Sequence, residues 1–169
     1  MNKTVITFST FKTLIAKICR DITVSGWKPD YIVGITRGGL LPAVMISHYL
    51  KVPCNTLNVS LRDGGQSESN LWMAEDAFGY ENTPKNILIV DDINDTGATI
   101  NWIVNDWQSG CLPKDERWKS VWNNNVRFAT VVDNLSSEAI VRIDYTAHEI
   151  NKAENNDWIE FPYEDWWTK

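Results

Sequence analysis

Ile87-Leu88-Ile89-Val90-Asp91-Asp92-Ile93-Asn94-Asp95-Thr96-Gly97-Ala98-Thr99 passes from an aliphatic segment through two adjacent acids into a small, hydroxyl-rich loop. Four consecutive aliphatic residues, with Pro84 before them and acids after, suit a strand covered on both faces, as strands of a parallel sheet are. At the carboxyl end of such a strand Asp91 and Asp92 either accept hydrogen bonds from vicinal ribose hydroxyls or hold a hard cation, since oxygen ligands suit Mg²⁺. Asp95 to Thr99 then opens a helix that continues through Ile100, Ile103, Val104 and Trp107. A helix N-terminus carries free N–H groups and partial positive charge, so a phosphate can sit there. Gly97 lets the backbone approach closely, and the Thr96 and Thr99 hydroxyls add donors. A lone Asp-Thr-Gly is equally well a helix cap beside a solvated strand end; the whole run is what favours a phosphate and sugar site.

Outward from this stretch, strands and helices alternate. Ser9 is expected to cap a helix whose Phe11, Leu14, Ile15, Ile18, Cys19 and Ile22 recur at helical spacing, ended by Gly26 and Pro29. Residues 31–35 read as a strand, 40–50 as a helix with Pro42 in its first turn, and 54–61 as the next strand. Residues 126–132 and 144–150 supply further strands. The alternation predicts an α/β fold around a parallel sheet, as one domain over 1–169. Residues 62–83 are polar, glycine-containing and weakly periodic, too long for a passive connection, and read as a flexible flap.

Composition narrows the function classes. A formal charge of -6 argues against a nucleic-acid binder, whose affinity rests on a basic face. Cys19, Cys54 and Cys111 are odd in number and widely spaced, which fits neither a disulfide framework nor a zinc cluster and predicts reduced thiols. No apolar stretch reaches the length of a membrane span and residues 1–15 carry no secretory pattern, so the expected location is the cytoplasm.

A second constellation, Gly34-Ile35-Thr36-Arg37-Gly38-Gly39-Leu40-Leu41-Pro42, lies where the first of these strands meets its helix. It lacks the Gly-Lys-Ser/Thr ending of a P-loop and the glycine spacing of a dinucleotide fingerprint. Two glycines ahead of a helix leave backbone amides accessible, and the planar fork of Arg37 matches phosphate oxygens; the bland reading is a tight turn with a surface arginine. Both loops would lie at the carboxyl edge of the sheet, where ligands bind.

Together the two loops resemble the signatures of type I phosphoribosyltransferases. The tail Asp157-Trp158-Ile159-Glu160-Phe161-Pro162-Tyr163 resembles the C-terminal segment of the bacterial xanthine-guanine members. The resemblance implies the parallel-sheet fold of that family, with a flap and a short C-terminal base-binding hood. It also implies Mg²⁺-dependent transfer of a 5-phosphoribosyl group from phosphoribosyl diphosphate to a 6-oxopurine (guanine, xanthine or hypoxanthine), releasing pyrophosphate, in purine salvage. Arg37, Gly38, Gly39 and Arg62 would serve the pyrophosphate, Arg62 being the only basic residue between Lys51 and Lys85. Asp91 and Asp92 would serve the ribose, with Asp92 at the metal, and Thr96, Gly97, Ala98 and Thr99, beside Asp95, the 5-phosphate. Asp95 would be the catalytic residue, handling the purine proton as the base changes charge. Ile93, Asp95, Trp158 and Ile159 would contact the purine, Trp158 by stacking.

Two departures stand out. The 6-oxopurine members place a Lys near the purine O6 after a late strand, where this chain has Val132-Asp133-Asn134-Leu135; Asn134 is left as the donor, or the base pocket differs. Residues 108–125 are longer and richer in Trp and Asn than the corresponding connection, as a subunit contact or a surface excursion. A phosphoribosyltransferase for another base and a non-catalytic phosphoribosyl-diphosphate sensor on the same fold remain as alternatives, and family habit implies a homodimer or homotetramer.

Overall fold

The acids of the deciding stretch belong to the strand itself. β4 (Ile87–Asn94) continues through both of them because β5 (Val126–Asn134) pairs with it as far as Asn94 opposite Asp133. On its other side β2 (Tyr31–Thr36) pairs with β4 only up to Gly34 opposite Val90. From Asp91 onward, β4 therefore lacks β2 as a neighbour. The computed structural model describes residues 1–59, 61 and 70–169. With β3 (Cys54–Asn58) and β6 (Tyr145–Ile150) these strands form a five-stranded parallel sheet of order β3-β2-β4-β5-β6. From β2 the chain passes to one side to make β3 and returns on the other to make β4. That reversal lies between β2 and β4, the switch point at which open α/β sheets bind ligands.

Side chains alternate across the sheet with the strand period of two. Val33, Ile35, Ile87 and Ile89 enter one apolar layer, while Ile32, Leu88 and Val90 enter the other. The second layer is covered by α1 (Phe8–Ser25) and α2 (Leu40–Leu50), through Phe11, Ile15, Ile18, Ile22, Ala43 and Ile46. The first is covered by α3 (Leu71–Phe78) and α4 (Ala98–Gly110). Thr7 rather than Ser9 caps α1, its hydroxyl accepting from the Thr10 amide at 3.1 Å; both are capping residue types, and the helix begins at Phe8, two residues before a Ser9 cap would start it.

Two other expectations are corrected. Residues 71–78, read as part of the flap, form α3 and bury Met73, Ala74, Ala77 and Phe78. Four apolar positions on one face suffice for a short helix, but Glu75 and Asp76 between them blur the period in so polar a segment. Residues 62–69, including Arg62, lie outside the described residues. Likewise the 108–125 segment, expected as a subunit contact or a surface excursion, is more than an excursion: its largely exposed run is pinned into the core by tryptophans. Trp118 is 2% exposed, donates its indole N–H to the Cys111 carbonyl at 2.7 Å, and stacks on Trp122 at 5.6 Å. Trp122 in turn meets Trp107 and Phe128, so the tryptophans extend the α4-side core beyond the helix. The three cysteines are free, with burial pushing the Cys19 thiol up to about 11. Among the described residues no helix is long and apolar enough to cross a membrane.

The chain ends meet in a second, two-stranded parallel sheet that carries the tail to the ligand edge. β1 (Lys3–Val5) pairs with β7 (Trp158–Glu160), Thr4 lying opposite Ile159. The Glu160 carboxylate accepts from Lys3 at 2.9 Å and faces Lys169 at 3.1 Å, and these two ammonium groups hold it below its ordinary value of 4.5. A lowered folded-state value means that the contribution is present above the unfolded value and disappears as pH falls through the folded one. Wild-type protein should therefore lose more thermal stability between neutral pH and pH 3 than Glu160→Gln, with the two melting curves converging at the acid end; parallel losses over that range would show that the cluster contributes nothing.

Candidate active site at the switch point

Where β2 and β4 part, their loops and the tail enclose a cavity of about 670 Å³. Arg37 and Gly38 line it from the β2 loop, Asp91 to Ile100 from β4 and the start of α4, and Trp158, Ile159, Phe161 and Glu164 from the tail. The structure thus brings together most of the residues the sequence singles out: Arg37, Gly38, Asp91, Asp92, Ile93, Asp95, Thr96, Gly97, Ala98, Thr99, Trp158 and Ile159. Gly39 is buried behind the wall, and its N–H donates to the Ile35 carbonyl at 2.8 Å. It shapes the turn rather than offering an amide. A Cβ there would meet the Ile35 carbonyl oxygen at 2.7 Å as well as the Val90 carbonyl, so only glycine lets the turn lie against the sheet.

α4 begins at the cavity without a side-chain cap, at Gly97 in the left-handed region with φ 90°. The Thr96 hydroxyl accepts from the Ala98 amide at 3.2 Å, and Thr99 lies in the first turn. This is a helix N-terminus of the kind that attracts anions. It is braced from behind by residues 137–140: Glu138 N–H donates to the Thr96 carbonyl, and the Asn101 amide exchanges bonds with Glu138 and Ile140 at 2.9 and 2.8 Å.

Asp92 is held at both oxygens. Oδ1 accepts from the Ile93 amide at 2.7 Å and Oδ2 from the Tyr163 hydroxyl at 3.0 Å. Glu164, also on the wall, has its carboxyl pushed up by burial, with Asp92 and Glu160 adding to the effect.

Beside Trp158 the cavity wall holds a cation that lies outside the sequence motifs. Lys152, in the loop after β6, places Nζ 3.0 Å from Asp95 Oδ1 and 5.8 Å from the centre of the Trp158 ring. Its side chain is 13% exposed and that of Asp95 19%, so the pair is shielded from water. Asn134, expected as a donor to the base, is buried behind this pair. Its amide Nδ2 donates to the Asp95 carbonyl at 2.8 Å, while Oδ1 accepts from the Lys152 N–H at 2.9 Å and from Ser136. Asn134 is the bracket that fixes the segments carrying Asp95 and Lys152. Lys152 was findable: a residue just past the end of a parallel strand sits at the ligand edge by topology alone.

Residues 7–165 match the phosphoribosyl transferase domain model. The chain belongs to the phosphoribosyltransferase family. It is 27% identical to xanthine phosphoribosyltransferase 1 of Saccharomyces cerevisiae, the match covering 87% of this chain and 73% of the yeast protein. It is 28% identical to the xanthine-guanine phosphoribosyltransferase of Desulfotalea psychrophila, over 86% of this chain and 80% of that one. Its fold is that of the purine phosphoribosyltransferase from Pyrococcus horikoshii, with a TM-score of 0.67, 24% identity, and coverage of 96% and 95% of the two chains. The α/β fold around a parallel central sheet is therefore that of the type I enzymes.

A Cβ at Gly97 would both carry positive φ and run into the backbone of Ala139. Gly97→Ala should cost roughly 1–3 kcal/mol or more in urea unfolding. An unchanged midpoint would mean that the 137–140 brace yields freely.

Proposed function

We propose that this phosphoribosyltransferase transfers the 5-phosphoribosyl group of phosphoribosyl diphosphate to a 6-oxopurine, releasing pyrophosphate. The observation that carries the choice of base is the Lys152–Asp95 pair beside the face of Trp158. A planar base stacked on the indole meets an ammonium donor suited to an exocyclic carbonyl oxygen and a carboxylate suited to a ring N–H. An adenine amino group would instead turn a donor toward a donor, which disfavours it. The names of the yeast and Desulfotalea relatives support the same class of base.

The roles follow from where charge changes. Cleavage at the anomeric carbon leaves positive charge on the sugar and negative charge on the departing diphosphate. Arg37 and the Gly38 turn would face the diphosphate end, and the start of α4, with Thr96 and Thr99 on the same cavity wall, would face the 5-phosphate. Asp91 and Asp92, on the cavity wall, accept from the ribose hydroxyls. Asp95 takes the ring proton of the purine as its nitrogen bonds to the sugar; Lys152 pairs with the carboxylate before that transfer, and once Asp95 is neutral the ammonium is released to face the exocyclic oxygen of the base.

Mg²⁺ fits the donor set. Among the described residues no group of three or more His, Cys, Asp or Glu side chains forms a metal site, and Mg²⁺ commonly takes only one or two carboxylates with substrate phosphates and water. Asp92, with Asp91 next to it, would hold the ion. Bound there, it would supply charge neutralisation at the diphosphate.

Incubation with phosphoribosyl diphosphate and guanine, xanthine, hypoxanthine, adenine, orotate or uracil tests the reading, and turnover confined to the 6-oxopurines is expected. Chelation of divalent cations should abolish that turnover. Binding of phosphoribosyl diphosphate with no turnover of any base would instead mark a sensor. Asp95→Asn should lower kcat by about 10²–10⁴-fold with folding intact. Lys152→Met should raise KM for guanine by about tenfold or more while leaving that for phosphoribosyl diphosphate nearly unchanged; an unchanged guanine KM would remove Lys152 from base recognition.

A further inference from the structure

The Tyr163 hydroxyl is shared between the two loops of the cavity. It lies 3.0 Å from the Gly38 carbonyl oxygen and 3.0 Å from Asp92 Oδ2. A phenol has one hydrogen, so two acceptors at equal distance divide or alternate its donation. Its ring is seated firmly, stacked on Phe161 at 5.7 Å and 6° and edge-on to Phe11 at 5.9 Å and 88°. Phe161 in turn follows directly on β7, the strand paired with β1.

The loops are in contact where the phenol joins them, since a Cβ on Gly38 would overlap the Asp92 carboxylate. With Oδ1 taken by the Ile93 amide, Tyr163 is the group that sets the rotation of the carboxylate at Oδ2. A phenylalanine would fill the same aromatic seat, so the hydroxyl adds these two bonds and nothing to the packing. Resting on the function proposed above, we infer that Tyr163 is a positioning residue that couples the loop facing the diphosphate to the carboxylate facing the ribose, presenting the two ends of one substrate's site together.

Tyr163→Phe in the full chain tests this. The dissociation constant and KM for phosphoribosyl diphosphate should rise about tenfold, the loss expected for a hydrogen bond to a charged group. KM for guanine should stay put, the thermal midpoint should fall by no more than a few degrees, and kcat should change far less than KM for phosphoribosyl diphosphate, since the bonds removed act on ground-state binding. In the ligand-free protein, amide exchange at residues 37–40 should quicken. In an Asp92→Asn background the same substitution should have a smaller effect on affinity, because the partners are coupled. Unchanged affinity in Tyr163→Phe while the wild type binds overturns the coupling alone. Equal rises in both KM values with a fall in thermal midpoint also overturn it, by reducing Tyr163 to packing. Failure of the wild type to bind phosphoribosyl diphosphate overturns the functional reading and this inference with it.

Discussion

Everything at the site depends on β4 running further than β2. Up to Val90 the two strands share hydrogen bonds, and beyond it only β5 accompanies β4. The vacated side is where the β2 loop turns away through Arg37 and Gly38, and the gap between the strand and that turn is the cavity. A parallel sheet makes such a gap only where its connections reverse direction, and this sheet reverses once, between β2 and β4. The acids sit in a strand that is paired on one side and line the cavity on the other.

Polar groups in the walls are committed to neighbours, which keeps the cavity shaped before any ligand arrives. Asn134 ties the Asp95 segment to the Lys152 segment, Asn101 ties the first turn of α4 to residues 138–140, and Tyr163 spans the Gly38 turn and Asp92. Each is partly or fully withdrawn from water, where an unpaired amide or hydroxyl would be costly. The tail reaches the cavity because its strand is paired with the chain's first strand. Ends of a chain are ordinarily its loosest parts; here a parallel pair and the Lys3, Glu160 and Lys169 charges hold them at the ligand edge.

Local chemistry made much of this readable. The aliphatic run before Asp91, the glycines after Arg37 and the helical spacing of α1 report properties of neighbouring residues, so they survive translation into structure almost unchanged. Failures came where a residue's partner is remote in the chain. Asn134 has an amide that suits a base and suits a carbonyl equally well, and only its distance from Asp95 in space chooses between them. Trp118 and Trp122 read as surface or interface residues until the fold laid them on Phe128 and Phe78. α3 is too short and too acidic for its period to show against the polar residues before it, and burial against the sheet is what makes it a helix.

The α/β class, the two glycine-containing loops at the cavity and the carboxylates of β4 are decided by the order of residues along the chain, because strand length, glycine placement and helix starts are governed by contacts within a few residues. Which cation meets Asp95, what Asn134 holds and how Tyr163 joins the loops are decided only when β6, the tail and the β2 turn converge. Those pairings span 57, 39 and 125 residues respectively, and a contact over such separations is set by the geometry of the whole sheet rather than by any pattern along it.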